Sequence, residues 1–300
     1  MAQYQGNKIC YFANKFELGL SMLNGFYSAT GGMVTQFERL DVISNNLANA
    51  NTNGYKRDDV VIGDFLRLYE EYKHELPLQN HTREAAKFLN RTINRVPNIV
   101  EEYSDMSVGS FSHTENPLDL ALKNPNAFFA ILTPNGVKYT RDGAFELDNS
   151  GILVNKNGFP VLSKEGIDEE GVISIDLSSN NVEISKNGDI FIRNLSNESI
   201  GTPEPIGSIA VVSFINPKYL KKVGDNLYEI PQERLNERLN INDDNIIASG
   251  FIEKSNINPV VEMTALITTN RLVDIYSKVM KTHQDDLAPE AINKLANIRV

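Results

Sequence analysis

Side-chain amides are the most concentrated chemical groups in this chain, and they lie in one segment near its N-terminal end. Residues 41–56 read DVISNNLANANTNGYK, and the asparagines of this segment are Asn45, Asn46, Asn49, Asn51 and Asn53. Each amide both donates and accepts hydrogen bonds, whereas asparagine is a poor former of helix interiors. Helix capping accounts for one or two of them. The segment therefore predicts a polar joint, where a helix meets a sheet or another subunit.

Catalytic and metal-binding patterns are missing from the sequence. Metal-ligand spacing is absent among the histidines, which are His74, His81, His113 and His283. The chain has no glycine-rich phosphate loop, no G-x-S-x-G and no H-E-x-x-H. Asp285 and Asp286 precede Pro289, which predicts a helix end or cap there rather than a catalytic pair. We therefore predict a protein that is not an enzyme, with no metal, no cofactor and no small-molecule substrate.

A heptad stripe of apolar residues predicts a long helix near the N-terminal end. Phe26, Met33, Leu40 and Leu47 recur every seven residues. The companion positions are Thr30, Phe37 and Ser44. As a helix, residues 23–50 would be roughly 42 Å long.

A second heptad stripe lies near the C-terminal end, at Leu266, Val273, Met280 and Leu287. Its companion positions, which are mostly polar, are Met263, Asn270, Ser277 and Gln284. The predicted helix, residues 258–286, would be roughly 43 Å long. Matched lengths predict that the two helices pair as a coiled-coil-like core. An additional row beside the stripe, formed by Ala265, Leu272 and Val279, predicts contacts between chains.

The middle of the chain predicts short antiparallel strands. Apolar runs at 128–132, 137–140, 144–147 and 152–154 are separated by turn residues, and 209–215 is typical of a buried strand. The clearest hairpin is 182–192, where Asn187-Gly188 predicts a type I′ turn. No α/β alternation is present, so the predicted fold class is α+β, with an antiparallel sheet or small barrel between two long helices.

These patterns divide the chain into segments. Residues 1–21 have mixed charge and no steady period, so we interpret them as a flexible leader or an extended start. The N-terminal core helix and the asparagine-rich motif form segment 22–56. The remaining predicted segments are a connecting excursion at 57–106 with a candidate short helix at 83–92, a β-rich domain at 107–250, and a C-terminal core helix with its tail at 251–300.

Composition excludes several classes of partner and location. A net charge of −10 argues against nucleic acid or an anionic membrane as the main partner. No apolar run is long enough to span a bilayer, and the first twenty residues lack the apolar stretch of a cleaved signal peptide. Cys10 is the one cysteine, so the chain forms no internal disulfide. We expect any export to use a route without a cleaved signal peptide.

Three separated motifs, in the asparagine-rich segment, at 116–143 and at 250–271, resemble those of one bacterial protein family. The matching residues are Asn45, Asn46, Leu47, Ala48, Asn49, Asn53, Gly54, Tyr55, Lys56, Pro117, Leu118, Asp119, Arg141, Asp142, Gly143, Glu253, Ser255, Asn256, Glu262, Met263 and Arg271. The types and order of these residues are similar to those of the flagellar rod, hook and hook-associated proteins. The similarity extends over most of residues 22–300. Residues 1–21 precede the usual start of that family, and the polar stretch 73–106 is longer than usual.

The resemblance implies a structural subunit of the axial rod, which crosses the periplasm in the flagellar basal body and transmits torque. In that family the terminal helices form a tubular core with a β-rich domain outside it. The implied partners are sister copies, other rod subunits and the flagellar type III export apparatus. We expect the assembly seam to be formed by Phe26, Met33, Phe37, Leu40, Leu47, Met263, Leu266, Val273, Met280 and Leu287.

Two alternatives accompany this interpretation. Length and the central motif are most similar to the proximal-rod member of the family, with a distal-rod or hook-type subunit as the alternative. A hypothesis from a different class is a soluble adaptor or chaperone-like binding module with a helical handle. It predicts a discrete, low-order oligomer rather than a polymer.

Overall fold

The computed structural model describes residues 26, 28–64, 97–167, 171–175, 182–192, 205–241 and 245–296. These residues form an α+β protein with one helix near each end and an antiparallel, β-rich region between them. The α+β fold class predicted from the sequence is therefore confirmed. The predicted leader at 1–21 and the candidate helix at 83–92 lie outside the described residues.

The two helices are long, as their heptad stripes predict. Helix α1 comprises residues 28–48 and helix α2 is Pro259–Ala296. Proline suits the first position of α2 because the N–H it lacks would have no partner there, and Glu262 in the first turn complements the helix dipole. Neither helix is apolar enough over a sufficient length to cross a membrane.

The predicted end of the C-terminal helix is wrong. We expected it to stop at Asp286, before Pro289, but α2 continues through the proline to Ala296. A proline inside a helix lacks the N–H that would bond the carbonyl of the fourth preceding residue, here Asp285, while the bonds before and after it can form. The helix therefore tolerates the proline rather than ending at it.

The strands are short, and turns separate most of them. In chain order they are β1 (Asp58–Asp64), β2 (Pro97–Ser104), β3 (Phe111–His113), β4 (Leu120–Leu122), β5 (Ala127–Thr133), β6 (Gly136–Thr140), β7 (Phe145–Leu147), β8 (Leu153–Asn155), β9 (Val182–Ile184), β10 (Asp189–Ile192), β11 (Gly207–Ser208), β12 (Val211–Phe214), β13 (Lys221–Lys222), β14 (Leu227–Glu229), β15 (Arg238–Asn240), β16 (Ile247–Ser249) and β17 (Phe251–Glu253). Two 3₁₀ helices, Pro217–Tyr219 and Gln232–Glu237, lie after β12 and β14.

The largest sheet has the strand order β13-β14-β6-β5-β12-β15. Its strand β5 reads AFFAILT and is almost entirely buried, because alternate side chains enter two different cores. Phe129 and Ile131 pack in one core, and Phe128 and Ala130 in the other. The smaller sheets have the orders β11-β10-β9, β16-β4, β17-β3, β7-β8 and β1-β2.

The hairpin predicted at 182–192 is present, but its predicted turn type is wrong. Strands β9 and β10 pair with Ile190 opposite Ile184. Their loop is residues 185–188, closed by a bond from Gly188 N to Ser185 O. Gly188 has a φ of 98°, whereas Asn187 is not among the residues with positive φ. A type I′ turn needs positive φ at both positions, so this loop belongs to the longer class that ends in one left-handed glycine.

The chain divides into two compact units. Of the described residues, the helical unit contains those up to 45, 58–103 and those from 260 onward, and thus β1 and most of α1, α2 and β2. The β-rich unit contains residues 46–57 and 104–259. The part of the asparagine-rich segment from Asn46 onward and the segment before α2 therefore both belong to the β-rich unit.

Candidate functional site

The three sequence motifs meet in one buried ionic cluster of the β-rich unit. The carboxylate of Glu253 lies at its centre, 2.5 Å from Lys56 Nζ and 2.6 Å from Arg141 Nη2. All three side chains have 0% exposure. Buried charges are stabilised only when they are paired and hydrogen-bonded, so the arrangement of their partners decides what the cluster does.

Strand β17 places Glu253 so that both carboxylate oxygens and the main-chain carbonyl accept hydrogen bonds. Gly109 N donates to Oε1 at 2.8 Å, beside Lys56, and Arg141 donates to Oε2 from Nε and Nη2. The main-chain carbonyl of Glu253 accepts from Gly54 N at 2.7 Å. One residue therefore joins segments that lie far apart in the sequence.

Arg141, immediately after β6, fixes the loop between β4 and β5. Its Nη1 donates to Asn124 O at 2.6 Å and to Ala127 O at 2.8 Å, and its Nη2 donates to Leu122 O at 3.2 Å. With the bonds to Glu253, every nitrogen of the guanidinium donates. Such planar, charge-assisted recognition is specific to arginine, since lysine cannot reproduce the geometry.

Lys56 ends the asparagine-rich motif and reaches the cluster from the opposite side. Its Nζ also donates to Ser107 O at 2.6 Å. Burial, reinforced by repulsion from the Arg141 guanidinium, lowers the pKa of Lys56 to about 8, although the Glu253 carboxylate opposes this shift. The cluster thus holds two cations around one anion.

Glycines in the motifs allow the backbones to approach the cluster. Gly54 has a φ of 66°, and a Cβ there would lie 2.5 Å from the backbone carbonyl of Arg141. A Cβ on Gly143 would lie 1.8 Å from Leu120 O. These distances are shorter than any van der Waals contact, so only glycine fits at either position.

Amides from outside the asparagine-rich segment complete the joint. Asn256 accepts from Arg57 N at 2.8 Å and donates to Asp105 O at 2.8 Å. Asn226 donates to Asn53 O at 2.8 Å. These bonds attach the segment before α2 and the turn before strand β14 to the segment that follows α1.

Other motif residues support the same unit from outside the cluster. Asp119 O accepts from Gly250 N at 2.8 Å, and Pro117 O accepts from Ser249 Oγ. Asp142 accepts from Ala144 N, and burial raises the pKa of its carboxyl. Tyr55 lies beneath the Lys222 ammonium, and Leu118 packs against the core. Ser255 accepts a hydrogen bond from Ile257 N, and Asn46 is buried. Asn45 and Ala48 are exposed, and Asn49 is half-buried.

The predicted seam residues lie in the helical unit except Leu47, and are partly exposed. Phe26, Met33, Leu40 and Leu47 of the N-terminal stripe are half-buried, and Phe37 is 46% exposed. In α2, Leu266, Val273 and Met280 are half-buried, whereas Met263 is 51% exposed. Leu287 lies in α2, but its side chain is outside the described part. Of the other motif positions in α2, Glu262 is buried and Arg271 is exposed.

Within the helical unit, α1 contacts α2 through small residues. Thr30 Oγ1 lies 3.4 Å from Met280 Sδ. A Cβ on Gly32 would lie 2.7 Å from the ring of Tyr276, so the ring lies directly against the glycine backbone. The buried positions of α1 in this unit are Ala29, Gly32, Thr35, Gln36 and Ile43, which are adjacent to the predicted stripe rather than in it.

Helix α2 also carries an exposed apolar row. Its members are Val261, Leu272, Ile275 and Val279, with Ala265 half-buried beside them. Leu272 and Val279 are two of the residues from which contacts between chains are predicted. An apolar row of this length on a helix is typical of a surface that another helix covers.

Sequence reasoning missed the central role of the charged residues. It identified amides as the joint, and named Lys56, Arg141 and Glu253 only by resemblance. Burial of a charge leaves no periodic signal, so the chain offered no direct means of pairing these three. Among the described residues, no group of histidine, cysteine, aspartate and glutamate side chains could hold a metal ion.

Comparison with known proteins matches the same three regions. The flagella basal body rod protein model matches residues 26–56. The model of the flagellar hook protein FlgE/F/G D1 domain matches 124–192, and that of the flagellar basal body rod FlgEFG protein C-terminal matches 248–289. The first match ends at Lys56, and the third begins shortly before Glu253. The ionic cluster joins these two chain segments.

Full-length relatives show the same similarity. The flagellar basal-body rod protein FlgG of Bacillus subtilis is 31% identical over 280 residues, which cover 91% of this chain and 99% of the relative. The flagellar basal-body rod protein FlgF of Caulobacter vibrioides is 30% identical over 277 residues, which cover 92% and 100%. FlgG of Buchnera aphidicola subsp. Schizaphis graminum is 29% identical over 265 residues, which cover 87% and 96%. The chain belongs to the flagellar basal-body rod protein family.

Proposed function

We propose that this chain is a structural subunit of the flagellar basal-body rod, with no catalytic role. It assembles with sister copies and other rod subunits through its terminal helices. The observation that carries this proposal is the exposed apolar row of α2. In the sequence, α2 follows the segment that contains Glu253, which the ionic cluster holds in the β-rich unit. The names of the relatives, all basal-body rod proteins, agree with it.

The helices supply the assembly surfaces in this proposal. Leu266, Val273 and Met280 form a coiled-coil-like seam with α1, supported by the contact between Thr30 and Met280. The exposed row around Leu272 packs on a neighbouring subunit, because its burial there removes apolar surface from water. Torque then passes through many helix contacts, so no single seam carries the whole load.

The relatives support two candidate positions along the rod. We favour the proximal rod, since FlgF of Caulobacter vibrioides aligns over its full length. The distal rod is the second candidate, because FlgG of Bacillus subtilis is equally similar. Expression of this chain in strains that lack one or the other protein distinguishes the two, as only the matching strain regains motility. As a family member, the subunit travels through the flagellar type III export apparatus in either position.

The substitution Leu40→Asp tests the structural role. A charge at this half-buried seam position should abolish motility and remove the protein from purified basal bodies, while the β-sheet circular dichroism signal is retained. Val34→Asp is the matched control, because it introduces the same carboxylate at a position of α1 that is 50% exposed and outside the predicted seam. Normal swimming of the Leu40→Asp strain would contradict the proposal. A discrete small oligomer of the wild-type protein, with none in basal bodies, would favour the adaptor hypothesis.

A further inference from the structure

An open groove of about 970 Å³ lies in the β-rich unit. Three phenylalanines, Phe111, Phe191 and Phe251, line it together with aliphatic side chains such as Ile184 and Ile247. Phe111 is 42% exposed. Aromatic groups of this kind dominate the energetics of protein interfaces when a partner covers them.

The rim of the groove carries lysines and the edge strand of the β11-β10-β9 sheet. Lys123 and Lys186 are exposed there, with Glu183 as the one acidic residue of the lining. Strand β9 forms part of the wall and, among the described strands, has β10 as its single neighbour. An occupant that adds a strand to this edge would gain main-chain hydrogen bonds.

The two-stranded sheet β1-β2, which we call the acidic ribbon, has the complementary properties. Its strands read DDVVIGD and PNIVEEYS, with five carboxylates and no lysine or arginine. Glu101 and Glu102 are exposed, as are the apolar Val61, Val100 and Tyr103. Among the described strands, β1 and β2 pair with each other alone.

We propose that the groove binds the acidic ribbon of a second copy of this chain. Glu101 and Glu102 of the ribbon pair with Lys123 and Lys186, its apolar side chains contact the phenylalanines, and one of its strands lies beside β9. Two copies with a net charge of −10 repel each other at long range, so a locally basic, aromatic groove selects where they approach. This inference rests on the proposed rod function, since it names one interface of the assembled subunits.

Charge exchange between the two surfaces tests the pairing. Lys123→Glu with Lys186→Glu in the groove, or Glu101→Lys with Glu102→Lys in the ribbon, should each weaken self-association about tenfold, because attraction becomes repulsion at two sites. A mixture of the groove variant with the ribbon variant should restore association between unlike copies. Sedimentation velocity at two salt concentrations measures both. Lys218→Glu and Glu146→Lys are the controls, as both residues are exposed, outside the groove and outside the ribbon.

A disulfide test identifies the contact directly. Cys10→Ser removes the native thiol, after which Glu102→Cys in one preparation and Lys186→Cys in another should form a mixed dimer under mild oxidation. Lys218→Cys in place of Lys186→Cys should form at least about tenfold less of it. Equal yields from both positions, or no restoration on mixing, would overturn the groove proposal.

The two proposals fail in different ways. If the wild-type protein assembles into rods and the mixed disulfide is absent, the groove proposal is wrong and the rod function stands. If the disulfide forms but no strain requires the protein for motility, the rod function is wrong and the docking surface stands. Binding of a small molecule in the groove without the mixed disulfide would also count against docking of a second copy.

Discussion

The two units of this chain differ in which side chains they bury and which they expose. In the β-rich unit, three charged side chains are fully buried and each has its partners within the unit. In the helical unit, large apolar side chains such as Ile267 and Ile275 of α2 are more than half exposed. The β-rich unit would lose stability if its buried charges were unpaired. The helical unit has an unfavourable free-energy term from its exposed apolar surface.

The difference indicates which unit depends on another molecule. The β-rich unit pairs its three buried charges internally, so these charges need no partner from outside it. The helical unit leaves a row of apolar side chains in water, so its favourable state includes another molecule. A subunit that folds around a fixed joint and assembles through its helices needs both properties. Substitutions in the cluster should therefore affect folding, and substitutions in the row should affect assembly.

The largest effect on stability is expected for Glu253→Ala. This change leaves the cations of Lys56 and Arg141 buried without their anion, which should lower the free energy of unfolding by about 3–5 kcal/mol. Urea denaturation of the full chain, followed by the β-sheet circular dichroism signal, measures the loss. Glu229→Ala is the matched control, since Glu229 pairs with Lys138 while 48% exposed, and should cost about 1 kcal/mol or less. Similar losses in both variants would show that the cluster does not hold the unit together.

Gly54→Ala should have the next largest effect. The left-handed φ of 66° costs an L-residue about 1–2 kcal/mol, and the overlap of a Cβ with the Arg141 backbone should add about 1–3 kcal/mol. Gly158→Ala separates the two causes, because Gly158 has a φ of 79° with open space around its Cβ position. The loss in Gly54→Ala should thus exceed that in Gly158→Ala. If thermal melts give equal losses, close approach to Arg141 contributes nothing.

Much of the fold could be predicted from local pattern. Alternating apolar residues and turn residues identified the strands at 127–133, 136–140 and 182–192, because period and turn chemistry act over a few residues. Heptad spacing identified both helices for the same reason. The turn type at Gly188 and the helix end at Asp286 were wrong, since several turns accept Asn-Gly and a helix that continues on both sides can tolerate a proline.

The ionic cluster could not be predicted in the same way. Lys56 and Arg141 lie 197 and 112 residues from Glu253 in the sequence, and no periodicity relates positions so far apart. The pairing of β1 with β2, whose strands are also distant in the sequence, was missed too. Resemblance identified the three charged residues by name, but the role of each depends on contacts that only the folded chain brings together.

The titration of Lys56 reports on the buried charges of the β-rich unit. Its pKa is about 8 in the folded chain and about 10.5 when exposed, so between these values the unfolded state holds a proton that the folded state lacks. Stability from this residue therefore increases from pH 8 to 10.5 and is lost as the pH falls through 8, with a slope approaching about 1.4 kcal/mol per pH unit. The difference in unfolding free energy between the wild type and Lys56→Met, measured by urea denaturation across this range, isolates the effect. A difference that stays constant with pH would contradict a lowered pKa.

The smallest effect on unfolding, and a large one on assembly, is expected for Ile275→Asp. Ile275 is 54% exposed on α2, so a carboxylate there should change the unfolding free energy of the β-rich unit by less than about 0.5 kcal/mol. Assembly should nevertheless be lost, because a charge would be buried in the interface between subunits. Lys281→Gln is the control, since it changes the charge by the same amount at an exposed position of α2 outside the apolar row and the predicted seam. Electron microscopy of basal bodies from both strains measures assembly, and intact rods containing Ile275→Asp would show that the row faces water in the assembled state.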